Sequence, residues 1–153
     1  MSEEMPNASL EIHNERRFPQ DRDTLFSAVA DPAKLARWWG PHGFENRITA
    51  FDFRPGGRWR IVMTASNGDE FDNHWSFLAI DDGRLVRTRH HLPVHDFVLE
   101  MRFEDHAGGS RLVWVMEFEP TEENRAMARF LKAANDQNLD RLAQFLKGEN
   151  DDR

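Results

Sequence analysis

The sequence predicts an α+β domain in which an antiparallel sheet packs one apolar face against a long C-terminal helix. Three observations carry this expectation. Between Phe44 and Phe118 the apolar residues recur with a period of two, and Gly, Pro, Asn and Asp break the pattern at short intervals. After Thr121 the period becomes helical, with Met127, Leu131, Ala134, Leu142 and Phe145 on one stripe. Ahead of the sheet pattern stand one alternating segment and two short segments with helix caps.

Taken in order, residues 9–18 alternate Leu10, Ile12 and Asn14 against Glu11, His13 and Glu15, which predicts a strand that Pro19 ends. Asp21 is placed to cap a short helix carrying Leu25, Phe26 and Val29. Asp31-Pro32 restarts a second helix with Asp at the N-cap and Pro at the first helical position. That helix carries Leu35, Trp38 and Trp39, and Gly40-Pro41 stops it.

Six strands then follow at about 45–53, 58–65, 69–80, 84–91, 96–104 and 110–118. The turns between them are marked by Pro55-Gly56-Gly57, Asn67-Gly68-Asp69, Asp81-Asp82-Gly83, Leu92-Pro93 and Gly108-Gly109, so consecutive hairpins make a meander. Alternation assigns Phe51, Phe53, Trp59, Ile61, Met63, Phe71, Trp75, Phe77, Leu99, Met101, Phe103, Leu112, Trp114, Met116 and Phe118 to the dry face. Asp52, Arg58, Arg60, Asp72, Glu100, Arg102 and Glu104 fall on the opposite, wet face.

The covering helix starts at Thr121, has Glu122 and Glu123 in its first turn where they favour the helix dipole, and runs to about Lys147 before Gly148. Its stripe is interrupted by Asn138, with Asn135 beside its edge. One domain over residues 9–148 is expected, with flexible ends at 1–8 and 149–153.

The composition narrows the functions. No Cys is present, which excludes disulfides, thiolate metal sites and a cysteine nucleophile. Twelve Phe and five Trp with no Tyr make a core of bulky rings, which fill an interior but leave irregular gaps. The net charge of −7 argues against a general nucleic-acid partner, and Arg84, Arg87, Arg89 and His90 read as part of a solvated strand. No apolar run is long enough to span a membrane, and the acidic MSEEMPNASLE start lacks the apolar centre of a signal peptide. A cytoplasmic location is expected, and no residue pattern calls for a cofactor.

A strand, two short helices, a meander and a long final helix make a helix-grip arrangement. The chain resembles the START-like (SRPBCC) superfamily, in the branch of the heat-shock protein 90 ATPase activator homologues. The match rests on Asp31-Pro32, Leu35, Trp38-Trp39-Gly40-Pro41, Asp52-Phe53-Arg54-Pro55-Gly56-Gly57-Arg58-Trp59, Arg111-Leu112 and Leu139-Asp140-Arg141-Leu142. It covers residues 9–148. The resemblance implies a largely apolar cavity between a curved sheet and the long helix, of the kind that binds small hydrophobic molecules. It supplies no catalytic motif. The chain departs from the branch at Ser76 and Ala79, and at Asn135-Asp136-Gln137-Asn138 where a Gly-Trp pair is common.

On this reading the candidates for a ligand site are Trp38, Trp39, Arg47, Thr49, Phe51, Trp59, Ile61, Met63, Phe71, Trp75, Phe77, Leu99, Met101, Trp114, Met116, Leu131, Asn135 and Asn138. Each ring also has an ordinary explanation as packing. Asn14, Arg47 and Thr49 share phase with apolar residues and are candidates for polar points in the cavity. Arg54-Pro55-Gly56-Gly57-Arg58 is most simply a hairpin turn, and without the Lys-Ser/Thr of a P-loop it is no phosphate cradle. His90, His91, His95 and Asp96 share one hairpin, but neighbouring His90 and His91 point to opposite faces, so no metal site is expected. His74 would need a bulge to turn inward.

No Ser-His-Asp arrangement, paired buried carboxylates or HExxH motif is evident. The leading expectation is therefore a small-molecule binding domain. An enzyme of cyclase or hydrolase type acting in the same cavity is the alternative, and needs a titratable group buried beside it. A chaperone-associated role ranks last, because only about eight residues precede the first strand, where larger activators carry a further domain. Self-association through a sheet edge is left open.

Overall fold

The computed structural model describes residues 9–151. The expected flexible segment 1–8 lies outside the described residues, as do Asp152 and Arg153. Strand β1 (Leu10–Phe18) leads into helices α1 (Arg22–Ala30) and α2 (Pro32–Trp38). Then come β2 (Glu45–Phe51), β3 (Arg58–Thr64), β4 (Glu70–Asp81), β5 (Leu85–Leu92), β6 (Phe97–His106) and β7 (Gly109–Phe118), followed by α3 (Glu122–Asp151). The strands form one antiparallel sheet in the order β1-β7-β6-β5-β4-β3-β2. Five hairpins join β2 to β7 as a meander, and β1 adds to its far edge by pairing Leu10 with Phe118 and Phe18 with Ser110.

The helix starts form as their caps dictate. The Asp21 carboxylate accepts the Thr24 N–H at 2.8 Å, and Asp31 accepts that of Ala33 at 3.0 Å. The first bond holds the Asp21 carboxyl below the usual carboxylate range. Helix α3 does not stop at Gly148: it continues to Asp151, and Glu149 pairs with Lys34 of α2 at 3.3 Å. Residues 149–151 therefore extend the helix, beyond the expected boundary. Glycine costs a helix only about 1 kcal/mol relative to Ala, so a favourable flank can carry it through.

Three register shifts correct the simple alternation. In β2 an extra residue, Thr49, lies between Ile48, paired with Ile61, and Ala50, paired with Arg60. The bulge reverses the phase, so Ile48 and Phe51 both face inward and Arg47 and Thr49 point outward. In β5 the extra residue is His91, between His90 opposite Trp75 and Leu92 opposite His74. His74 stays on the outer face beside Asp72, at 3.4 Å. The third shift falls at Leu78 of β4, which is exposed.

The core joins the inner sheet face to all three helices. Leu25, Ala28, Leu35 and Trp38 from the short helices meet Trp59, Phe77, Met101, Phe103 and Leu112 from the sheet, with Leu139, Leu142 and Leu146 from α3. Trp38 is fully buried and donates its indole N–H to the Ala28 carbonyl at 3.0 Å, which locks α2 onto α1. The Arg54–Arg58 turn is also part of the fold. Gly57 carries its carbonyl to Phe77 N–H at 3.0 Å, and a Cβ there would lie 1.9 Å from the Asp52 carbonyl oxygen. Only glycine permits that approach. Outside, Arg87 bridges Glu100 and Glu117 at 2.8 Å each, and Arg89 pairs with Asp96 at 2.6 Å, so these arginines serve a salt-bridged outer face.

Candidate functional site

At the end of the sheet away from α1, an open pocket of about 360 Å³ lies between the inner sheet face and α3. The α2–β2 loop contributes Trp39, Gly40, Pro41 and Phe44; β3 and β4 contribute Met63, Phe71, Asn73 and Trp75. His90 comes from β5, Pro93, Val94 and His95 from the β5–β6 loop, and Phe97, Leu99, Trp114 and Met116 from β6 and β7. Leu131, Ala134, Asn135 and Asn138 form the wall on α3. Among the described residues no Lys, Arg, Asp or Glu lines it.

The sequence candidates divide accordingly. Trp39, Met63, Phe71, Trp75, Leu99, Trp114, Met116, Leu131, Asn135 and Asn138 stand around the pocket. Trp38 on α2 and Trp59, Ile61, Phe77 and Met101 on the inner sheet face lie in the packed core but off the pocket. Alternation assigns a strand residue to a face and says nothing of its position along that face, which is why Trp59, Ile61, Phe77 and Met101 stood with the rest. Trp38 was a candidate through its place at the end of the second short helix. Arg47 and Thr49 are corrected for a different reason, the Thr49 bulge, whereas Phe51 keeps its inward face but packs against the core away from the pocket. Arg47 lies outside, 3.9 Å from Glu70. Thr49 and Phe51 border a separate shallow groove between α2 and β2.

Trp39 is the hub of the aromatic wall. Its ring centroid lies 4.9 Å from that of Trp59, 5.4 Å from Trp114 and 5.8 Å from Trp75. Edge-on geometries dominate, as the ring quadrupole favours. Trp75 continues to His90 at 4.8 Å, and His90 stacks on Phe97 at 4.8 Å.

The loop that presents Trp39 is held by α3. Arg141 Nη1 donates to the carbonyls of Trp39 at 2.8 Å, Gly40 at 3.1 Å and Pro41 at 3.0 Å. Asn138 Oδ1 accepts the Gly40 N–H at 3.0 Å, and Gln137 Oε1 accepts that of His42 at 3.2 Å. Gly40 itself has φ of 93°, where glycine is favoured. Burial works against the Arg141 charge and lowers its pKa, and the three carbonyls compensate for the lost water. Two motifs far apart in sequence, Trp38-Trp39-Gly40-Pro41 and Leu139-Asp140-Arg141-Leu142, are thus one contact.

Of two polar groups on the sheet, Asn73 escaped the sequence reading and His90, expected on a solvated strand, is corrected to a buried position. His90 is buried, with Nε2 2.7 Å from Asn73 Oδ1 and Nδ1 2.7 Å from the His95 carbonyl. Asn73 donates its own amide to the Phe71 carbonyl at 3.0 Å, which fixes its oxygen towards His90. Burial pushes the imidazole pKa down, outweighing the rise from the His95 carbonyl. The available signal was phase: Asn73 lies two residues from Phe71 and Trp75, and His90 two from Thr88. Asn14 likewise faces inward, but it is spent on α3, donating to the Lys132 carbonyl at 3.1 Å and Asp136 Oδ1 at 2.8 Å. His91 turns outward to Ser76 Oγ at 2.8 Å, so the histidine hairpin is split between the faces. Among the described residues no group of three His, Asp or Glu is placed to hold a metal ion. Nor is any described helix long and apolar enough to cross a membrane.

A sheet of this order gripped by a C-terminal helix defines the helix-grip class of the START-like superfamily. Within it, the chain belongs to the family of activator of Hsp90 ATPase homolog 1-like proteins, whose model matches residues 20–147. Solved structures share the fold. A protein from Arthrobacter aurescens superposes with a TM-score of 0.84 at 20% identity, over 92% of this chain and 87% of that one. Protein Ms6760 from Mycobacterium smegmatis gives 0.81 at 20% identity, over 92% and 93%. The AHSA1 protein from Silicibacter pomeroyi gives 0.76 at 23% identity, over 92% and 99%. A search of curated proteins found no match.

Proposed function

We propose that this protein binds a small hydrophobic or amphipathic molecule in the pocket between the sheet and α3. The observation that carries this reading is the wall itself: aromatic rings and thioethers with a few placed amides, enclosing about 360 Å³. Small-molecule sites have that composition and that range of size. Two further features support it. The helix departs from an apolar stripe at Asn135 and Asn138, the positions that line the pocket. Trp39 is held at the pocket by a dedicated set of bonds from Arg141 and Asn138.

Native mass spectrometry of freshly purified protein, followed by denaturation and identification of what is released, tests the reading. A stoichiometric apolar adduct is the expected result. A bare mass, together with no shift in a thermal screen of hydrophobic compounds, would count against it.

A catalytic reading draws on His90, the buried titratable group on the pocket wall. Both its ring nitrogens are already engaged, however, and no nucleophile stands beside it in its hydrogen bonds. A role beside a chaperone, suggested by the family description, has no feature of the pocket behind it. Co-precipitation with an Hsp90 chaperone at high protein concentration distinguishes it.

A further inference from the structure

The amide network on α3 has a fixed polarity. Lys132 O and Asp136 Oδ1 both accept, so the Asn14 amide nitrogen must face them and its oxygen must face Asn135. Asn135 Nδ2 therefore donates to Asn14 Oδ1 at 3.1 Å and also reaches Met116 Sδ at 3.1 Å. This leaves Asn135 Oδ1 with no hydrogen-bond partner among the described residues. Asn138 is fixed in the opposite sense, because its Oδ1 accepts the Gly40 N–H and its Nδ2 has no hydrogen-bond partner among the described residues. The two side chains are only 8% and 6% exposed, yet neither leftover atom is sealed inside the protein. Since both residues line the pocket, these atoms open onto it. Residues three apart share a helix face, so α3 offers the pocket one acceptor and one donor side by side.

We infer that the pocket selects an uncharged molecule with a flat apolar body and a head group that both donates and accepts, such as a carboxamide or a hydroxyl. The head donates to Asn135 Oδ1 and accepts from Asn138 Nδ2. The body lies against Trp39, Trp75 and Trp114. Charge is disfavoured because among the described residues no Lys, Arg, Asp or Glu lines the wall, whose titratable groups are His90 and His95, and an unpaired ion would leave water at high cost. His90 offers no free donor, both its nitrogens being engaged within the wall. A purely apolar ligand would leave both amide atoms dry and unpaired, which costs about 1–3 kcal/mol for each such group.

This inference rests on the binding reading, and calorimetric titration with naphthamide, methylnaphthalene and naphthoate separates the two. The three probes share a body and differ in the head. Naphthamide is expected to bind about tenfold or more tightly than either of the others. In Asn135→Leu and Asn138→Leu that advantage should vanish while methylnaphthalene still binds. The probe series in the unaltered protein carries the test even where a variant fails to fold. Equal binding of methylnaphthalene or naphthoate overturns the inference and leaves a hydrophobic pocket standing. Binding by none of the three, with no adduct on the purified protein, overturns both.

Discussion

The Arg141 guanidinium donates to the Trp39 carbonyl at 2.8 Å, linking the C-terminal half of α3 to the loop that carries the hub of the aromatic wall. With Gly40 and Pro41 also bound, one charged group satisfies three carbonyls of a segment that no strand or helix pairs. Truncation strands the Gly40 carbonyl and removes one of two donors from the others, since Trp39 O also accepts from Asn46 Nδ2 at 2.7 Å and Pro41 O from the Phe44 N–H at 3.4 Å. Arg141→Ala is expected to lower stability by about 2–3 kcal/mol in urea unfolding, with no change in the slope. A loss below about 0.5 kcal/mol would show that water replaces the guanidinium without penalty.

Gly57 makes a sharper case, because its neighbour is backbone. A Cβ placed 1.9 Å from the Asp52 carbonyl oxygen cannot be accommodated by rotating a side chain. Gly57→Ala should destabilise by about 2 kcal/mol or more, whereas Gly56→Ala meets no atoms and pays only for its positive φ of 85°. Thermal unfolding of the two variants side by side checks the order.

The Asn14–Asn135 bond predicts non-additivity. Asn14→Leu strands the Asn135 amide, and Asn135→Leu strands Asn14 Oδ1, so each single change should cost about 1–3 kcal/mol. The double change removes both polar groups and should cost less than the sum of the singles. A double-mutant cycle by denaturant unfolding measures the coupling, and strict additivity would show that the bond contributes nothing.

Acid should weaken the fold through His90. Burial lowers its folded pKa below the ordinary 6.5, so between those values the unfolded chain holds the extra proton. Its contribution is present above about pH 6.5 and is lost as pH falls towards the folded value. The groups around it act in both directions: His95 and His91 add to the depression, and Asp96 opposes it. Asp72, Asp96 and Glu100, whose pKa values are also lowered, lose their contributions only at more acidic pH, below the ordinary 3.8 to 4.5. The melting temperature of the wild type should therefore fall from pH 7 to pH 5, and that of His90→Gln should fall less. Parallel curves would remove His90 as the cause.

The sheet was legible because alternation and turn residues agree at every hairpin, and the caps at Asp21 and Asp31 fixed both short helices. What the pattern lacked was depth and bulges. Trp59 and Trp75 share a phase and pair directly across β3 and β4, yet only Trp75 reaches the pocket. A single inserted residue, Thr49, reversed the phase assigned to Arg47. Arg141 escaped because a long polar side chain on the flank of a helix has no periodic signature. Asn138 was visible as a polar break in an apolar stripe, but its bond to Gly40 spans 98 residues of chain and is settled only by tertiary packing.

All five tryptophans of the chain belong to one contiguous cluster around Trp39, and no tyrosine accompanies them. The near-ultraviolet emission of this protein therefore arises from a single neighbourhood, three of whose indoles form the pocket wall. An occupant that touches Trp39, Trp75 or Trp114 changes the colour or yield of that light without any label. The protein carries its own optical reporter, read out from the same rings that would hold the guest.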